Sequence, residues 1–178
     1  MGRTPHEIVN PLTLAEPTGF AHALVVRPGR VIHVGGQRAH RPDGRVAGNG
    51  VAEQFDRALA NAVEALRAAG AEPVHVVDMR VFTTAMAAYR SNSRDIGAVY
   101  RRHMGRFYPP MTVLGVTDLL DPDALVEVVC TAVVPETGTS EPMRAEQVWK
   151  PVEGNVHALV SEPSVPDGVD GAPEPERP

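Results

Sequence analysis

Val51, Phe55, Ala58, Leu59, Ala62, Val63 and Leu66 recur at helical spacing and draw one apolar stripe, which predicts an amphipathic helix. Glu53, Arg57, Glu64 and Arg67 take the wet side, Asn49-Gly50 supplies a start and Gly70 a stop. Upstream, short apolar runs at 23–27 and 31–34 flank Pro28-Gly29-Arg30, which predicts a β-hairpin. Downstream, Pro73 precedes a β-rich stretch over 74–82. Thr83 or Thr84 then caps a second helix reaching about His103, with Met86, Tyr89, Ile96, Val99, Tyr100 and His103 on one side. Gly105, Pro109 and Pro110 end that helix before two strands at 111–116 and 124–134, joined by the 118–123 loop. The predicted order is ββ-α-β-α-ββ.

The last strand carries the sharpest signal. Leu125 to Val134 reads LVEVVCTAVV, apolar on both strand faces except for Glu127. Two helices cover one face of a sheet, so the other needs a further layer, and a second copy of the chain is the economical cover. A carboxylate in such a strand loses hydration worth several kcal/mol unless a partner or bound water replaces it. Glu127 is therefore either a structural ion-pair partner or a working group.

Composition narrows the class. The chain has 178 residues, 43% of them hydrophobic, enough for one ordinary core. Of 22 acidic and 17 basic residues, nine and three lie in 135–178, leaving thirteen and fourteen in 1–134. A body so near neutrality offers no concentrated field for a polyphosphate, which argues against nucleic acid as a partner. The tail, with eight prolines and four glycines in 135–178, reads as an acidic, largely disordered appendage to a 1–134 domain. Within it, 147–160 has the apolar residues to dock on a neighbour. Cys130 is the single cysteine, so an internal disulfide is excluded and a buried strand residue is the plain reading. No signal-peptide core and no run of eighteen apolar residues occurs, and the expectation is a cytoplasmic protein without membrane contact.

In their order and spacing, several landmarks resemble the RidA/YjgF family of reactive-intermediate deaminases. They are Gly19-Phe20-Ala21-His22-Ala23, Val34-Gly35-Gly36-Gln37, Gln54 with Asn61, Leu66 to Gly70, Val76-Val77, Val81-Phe82, Tyr108-Pro109-Pro110 and Val126-Glu127-Val128. The similarity runs from about Pro11 to Val134. It implies an α+β, chorismate-mutase-like fold: a mixed sheet with two helices on one face, trimerised around a central β-barrel, with clefts between subunits. It also implies hydrolysis of enamines and imines of small 2-amino acids, with Glu127 managing the attacking water. Phe20, Gly35, Gly36, Ser93, Met111 and Val113 fall at cleft-lining positions. Family deaminases place an arginine after the Pro-X pair to clamp the substrate carboxylate; Met111 stands there and supplies neither charge nor donors. Val129 replaces a second acidic residue, and Gly35 the usual serine.

Arg106 is the first candidate for a substitute anion contact, with Arg38 and Arg80 beside it. His33 and His40 have no third ligand close in sequence, so no metal site is expected; Gly35-Gly36 lacks the lysine and helix start of a phosphate loop, and no cofactor is expected. Arg101, Arg102 and Arg106 sit where cations favour a helix C-terminus. Two functions remain open. One is a homotrimeric imine or enamine hydrolase, or tautomerase, for a small molecule other than the standard 2-iminocarboxylate, as in a specialised catabolic or natural-product pathway. The other is a trimeric ligand-binding or chaperone-like protein using the same cleft without turnover.

Overall fold

The computed structural model describes residues 3–136. Its strands are β1 (Glu7–Val9), β2 (Ala23–Val25), β3 (Gly29–Gln37), β4 (Val76–Thr83), β5 (Met111–Gly115) and β6 (Val126–Pro135). Its helices are α1 (Val51–Ala68), α2 (Met86–Ser91) and α3 (Ser93–Met104). Four strands form one mixed sheet in the order β3-β6-β4-β5, with β4 and β5 parallel and the other pairs antiparallel. The proposed docking segment 147–160 and the rest of the tail beyond Glu136 lie outside the described residues.

Helix α1 forms as its stripe predicts. Val51, Phe55, Ala58, Leu59, Ala62, Val63 and Leu66 are all buried, packed on β3 and β6 with α3 alongside. Gly70 turns the chain with φ +76°, and the Ala71 amide donates to Leu66 O at 2.9 Å, a left-handed stop that suits glycine. Val126, Val128, Cys130 and Ala132 of β6 meet this helix face, together with Met79 and Val81 of β4. Burying several such side chains at ~25 cal/mol per Å² is what holds helix to sheet.

Four expectations need correction. The 23–27 and 31–34 runs do not form a hairpin: β2 pairs with β1, which the pattern did not reveal, while β3 pairs with β6. Two bonds of His6 hold β1 and β2 against the main sheet. The Arg27 amide donates to its Nδ1 (3.2 Å), and its Nε2 lies 3.0 Å from Val133 O.

The second helix is two helices, because Asn92 leaves helical geometry (φ −97°, ψ 19°) and its Nδ2 donates back to Ala88 O at 2.8 Å. That side-chain bond offers the backbone an alternative to continuing straight. Nor does a threonine cap α2. Thr83 Oγ1 accepts the Ala85 amide (3.1 Å) and donates to Leu125 O (2.8 Å), tying the strand end to the loop before β6. Finally, residues 73–75 make a 3-10 turn and β4 begins at Val76.

Within one chain the last strand is covered along one face, and on the other only at Val133, which is buried beside His6. Residues 126, 128, 130 and 132 are buried, whereas 127, 129 and 131 are half-buried. Val31, His33 and Leu114 are exposed on the same open face.

Candidate functional site

The structure sorts the sequence-predicted site residues into two groups. The first surrounds Glu127. In the β3–β6 ladder Val34 pairs with Cys130 and Gln37 with Val128, so Gly35 and Gly36 together face Val129. This is a β-bulge, two residues against one, which redirects the strand and the side chains beside it. Its second glycine is spatially required: a Cβ on Gly36 would stand 2.3 Å from Glu127 Oε1 and 2.5 Å from its Cδ. A Cβ on Gly35 would meet nothing within 4 Å.

Arg38 closes this group, with Nε 3.6 Å from Glu127 Oε2 and side chains only 18% and 23% exposed. That spacing is an ion pair but not a hydrogen bond, and Arg38 Nε is buried without any hydrogen-bond partner among the described residues. In the single chain Glu127 is partly exposed and stands beside a guanidinium.

Helix α1 fixes the backbone around it. Asn61 Nδ2 donates to both Arg38 O (3.0 Å) and His40 O (2.9 Å), and Arg57 Nε donates to His40 O (3.2 Å). Gln54, buried, donates to Gly48 O and Asp123 O and accepts the Leu125 amide at 2.7 Å. These three polar residues of α1 therefore hold the exit of β3 and the entry of β6, and with them Arg38 and Glu127. Beyond Arg38, His40 Nε2 lies 2.9 Å from Asp121 Oδ2; that hydrogen bond, first among several causes, holds Asp121 below the ordinary carboxylate value.

The second group lines a cavity of about 820 Å³, within the usual size of small-molecule sites. Phe20, Ser93, Met111, Val113 and Arg106 all reach it, and all three tyrosines of the chain, Tyr89, Tyr100 and Tyr108, form its walls. Phe20 is brought there by the Ala21 amide, which donates to Pro109 O at 3.2 Å. Tyr100 stacks on Tyr108 with centroids 4.6 Å apart, and Tyr89 meets Phe55 edge to face. Burial pushes the Tyr89 hydroxyl up to about 12 and raises Tyr100 further, so both remain neutral. Ser93 is exposed at the start of α3, and Arg106 is exposed as well.

Strand parity explains why the groups are separate. Val113 pairs with Val81 and Val81 with Val128, all on the helix side of the sheet; Leu114, Phe82 and Glu127 form the neighbouring row on the open side. Met111 and Val113 thus face away from Glu127 across the same sheet. Tyr89 and Tyr100 were legible only as apolar helix positions, and Tyr108 only as part of a turn. That every tyrosine falls between 89 and 108 was the available signal. Among the described residues no three His, Cys, Asp or Glu side chains gather as metal ligands, and no helix is long and apolar enough to cross a membrane.

A four-stranded mixed sheet covered on one face by helices, with a bulge seating a lone strand carboxylate, defines the chorismate-mutase-like α+β class of the Rid proteins. The family model described as Endoribonuclease L-PSP matches residues 13–134, and the chain belongs to that family. A Rid-family protein of unknown function from Yersinia pestis, YyfB, is 31% identical over 72% of this chain and 98% of its own, with a TM-score of 0.66. A candidate endoribonuclease from Thermotoga maritima is 26% identical over 76% of this chain and 100% of its own (TM-score 0.53). RidA from an Antarctic Psychrobacter shares the fold at 21% identity, covering 67% of this chain and 92% of its own (TM-score 0.52). No curated protein matches the sequence.

Proposed function

We propose that the protein hydrolyses or tautomerises a reactive imine or enamine in a cleft built between copies of a homotrimer. The observation that carries this reading is the seating of Glu127: an otherwise apolar strand keeps one carboxylate, and a two-glycine bulge leaves room for it. In the reaction Glu127 takes a proton from water as the water oxygen bonds to the imine carbon. Glu127 returns that proton to the nitrogen, giving a carbinolamine; the carbinolamine hydroxyl proton then passes through Glu127 to the nitrogen, the carbon–nitrogen bond breaks, and ammonia and the carbonyl product leave. The open sheet face presents Glu127 to one neighbour, and the aromatic cavity of that neighbour, with Phe20, Met111 and Val113, takes the apolar part of the substrate. Met111 offers contact rather than charge, so the usual small substrate fits poorly and a bulkier one fits better.

The test compares imines generated in situ from alanine, leucine and phenylalanine, with ammonia release as readout and sedimentation for the assembly. The expected result is a trimer that turns over the bulky imines at least tenfold faster than 2-iminopropionate and loses activity in Glu127→Gln. A rate on 2-iminopropionate comparable with that on the bulky imines overturns the reading of Met111. Met111 also favours the second reading, a trimeric binding protein without turnover; inactivity on the whole panel, with ligand binding unchanged in Glu127→Gln, selects it.

A further inference from the structure

We propose that Arg38 is the anion-binding residue of the Glu127 site, receiving the carboxylate of a guest whose cationic end faces Glu127. The proposal rests on the functional reading above and adds the substrate's second charge and the residue that reads it.

Three observations converge on Arg38. Its Nε is buried and has no hydrogen-bond partner, and its side chain donates no hydrogen bond among the described residues. A guanidinium carries five N–H donors in a fixed fork, and leaving such a donor buried and unused costs about 1–3 kcal/mol. The neighbouring Glu127 carboxylate does not use it either, standing 3.6 Å away, beyond hydrogen-bond reach. The backbone that carries the donor is also held in place, because Asn61 grips the Arg38 carbonyl from α1.

The charge pattern specifies the guest. Arg38 and Glu127 form a short dipole of two opposite charges beside the bulge at Gly35, where a Cβ would meet nothing within 4 Å. Such a pair is complemented by a molecule with its own charges in the reverse order: a carboxylate against Arg38 and a protonated nitrogen against Glu127. An anion alone gains from Arg38 and is repelled by Glu127. The carboxylate clamp absent at Met111 thereby reappears on another strand and approaches the guest from the Glu127 side. Arg106 and Arg80 are placed less well: Arg106 is exposed at the other cavity, and Arg80 is 59% exposed and paired with Asp78 at 3.2 Å.

Phenylpyruvate, a planar anion, and its methyl ester, the neutral counterpart, test this by titration calorimetry on the full chain. The acid is expected to bind at least tenfold more tightly than the ester. Arg38→Met removes that difference, Arg38→Lys restores part of it, and Glu127→Gln tightens the acid severalfold by deleting the repelling charge. A structural ion pair without a ligand role does not produce that last gain. The proposal is overturned by equal binding of acid and ester, by no binding of the acid at millimolar concentration, or by Arg38→Met and Arg38→Lys proteins that bind the acid within twofold of wild type. Imine turnover is read separately: an inactive protein whose acid binding depends on Arg38 sinks the enzymatic reading alone, and an active one indifferent to Arg38 sinks this inference alone.

Discussion

Replacing Gly36 by alanine asks whether the bulge exists to seat Glu127. The new Cβ would lie 2.3 Å from Glu127 Oε1, 2.5 Å from Cδ and 3.1 Å from Cγ. Ordinary van der Waals contact begins at 3.4 Å, so the carboxylate must retreat by 1.1 Å, the difference of 3.4 and 2.3. The obstructing atoms are the far end of a flexible side chain, and leaving its rotamer costs ~1 kcal/mol. Its ion pair with Arg38, partly exposed, adds at most ~1 kcal/mol when lost. Thermal denaturation should therefore shift by only about 2–8 °C, with Gly35→Ala as a stability control whose Cβ meets no atom within 4 Å.

Activity should respond far more strongly, since a 1 Å misplacement of a reacting group costs on the order of 100-fold in rate. Turnover of the leucine- or phenylalanine-derived imine by Gly36→Ala, measured as kcat/KM from ammonia release, is expected to fall by about that factor. The double variant with Glu127→Gln should be no worse than Glu127→Gln alone, because the two changes disable one group. A Gly36→Ala enzyme within threefold of wild type, alongside a disabled Glu127→Gln, refutes the seating role of the bulge.

Other expectations follow from the same contacts. Gln54→Ala strips three backbone partners in the core and should destabilise by ~2–4 kcal/mol in urea titrations, whereas a change under ~1 kcal/mol contradicts the clamp between α1 and β6. His6 has its pKa lowered, chiefly by burial, so the unfolded chain binds its proton more readily. The stability it contributes is complete above the ordinary value of 6.5 and is lost as pH falls through the lower folded value; the urea midpoint should drop on acidification below 6.5, and less so in His6→Ala. Burial pushes the Cys130 thiol up to about 12, so a disulfide exchange reagent should leave it untouched in the native protein and modify one equivalent in denaturant. Tyr100→Phe removes the hydroxyl that donates to Phe107 O at 2.9 Å and should cost ~1 kcal/mol, with no loss if that bond does not form.

Periodicity determined α1 and the face it buries, and β-rich runs located β4, β5 and β6 to within a few residues, because such spacing and composition are local properties that the core merely accepts. The landmark residues, in order, also determined the family. Pairing was another matter. The partner of β2 depended on His6 reaching across to Val133, a contact between residues 127 positions apart, which no local pattern encodes. The break at Asn92 turned on one side chain competing for a helix carbonyl.

The site was legible as a set of residues but not as an arrangement. Glu127 stood out because a charge in an apolar strand is costly wherever it lies. Its separation from Met111 and Val113 follows from register: with side chains alternating at every residue, one step of pairing decides which face of the sheet a group occupies. That register, together with the bulge at Gly35-Gly36 and the grip of Asn61 on residue 38, exists only once strands distant in the chain have met. Tertiary structure therefore decided that Arg38, rather than an arginine near the Tyr108-Pro109-Pro110 turn, stands beside Glu127.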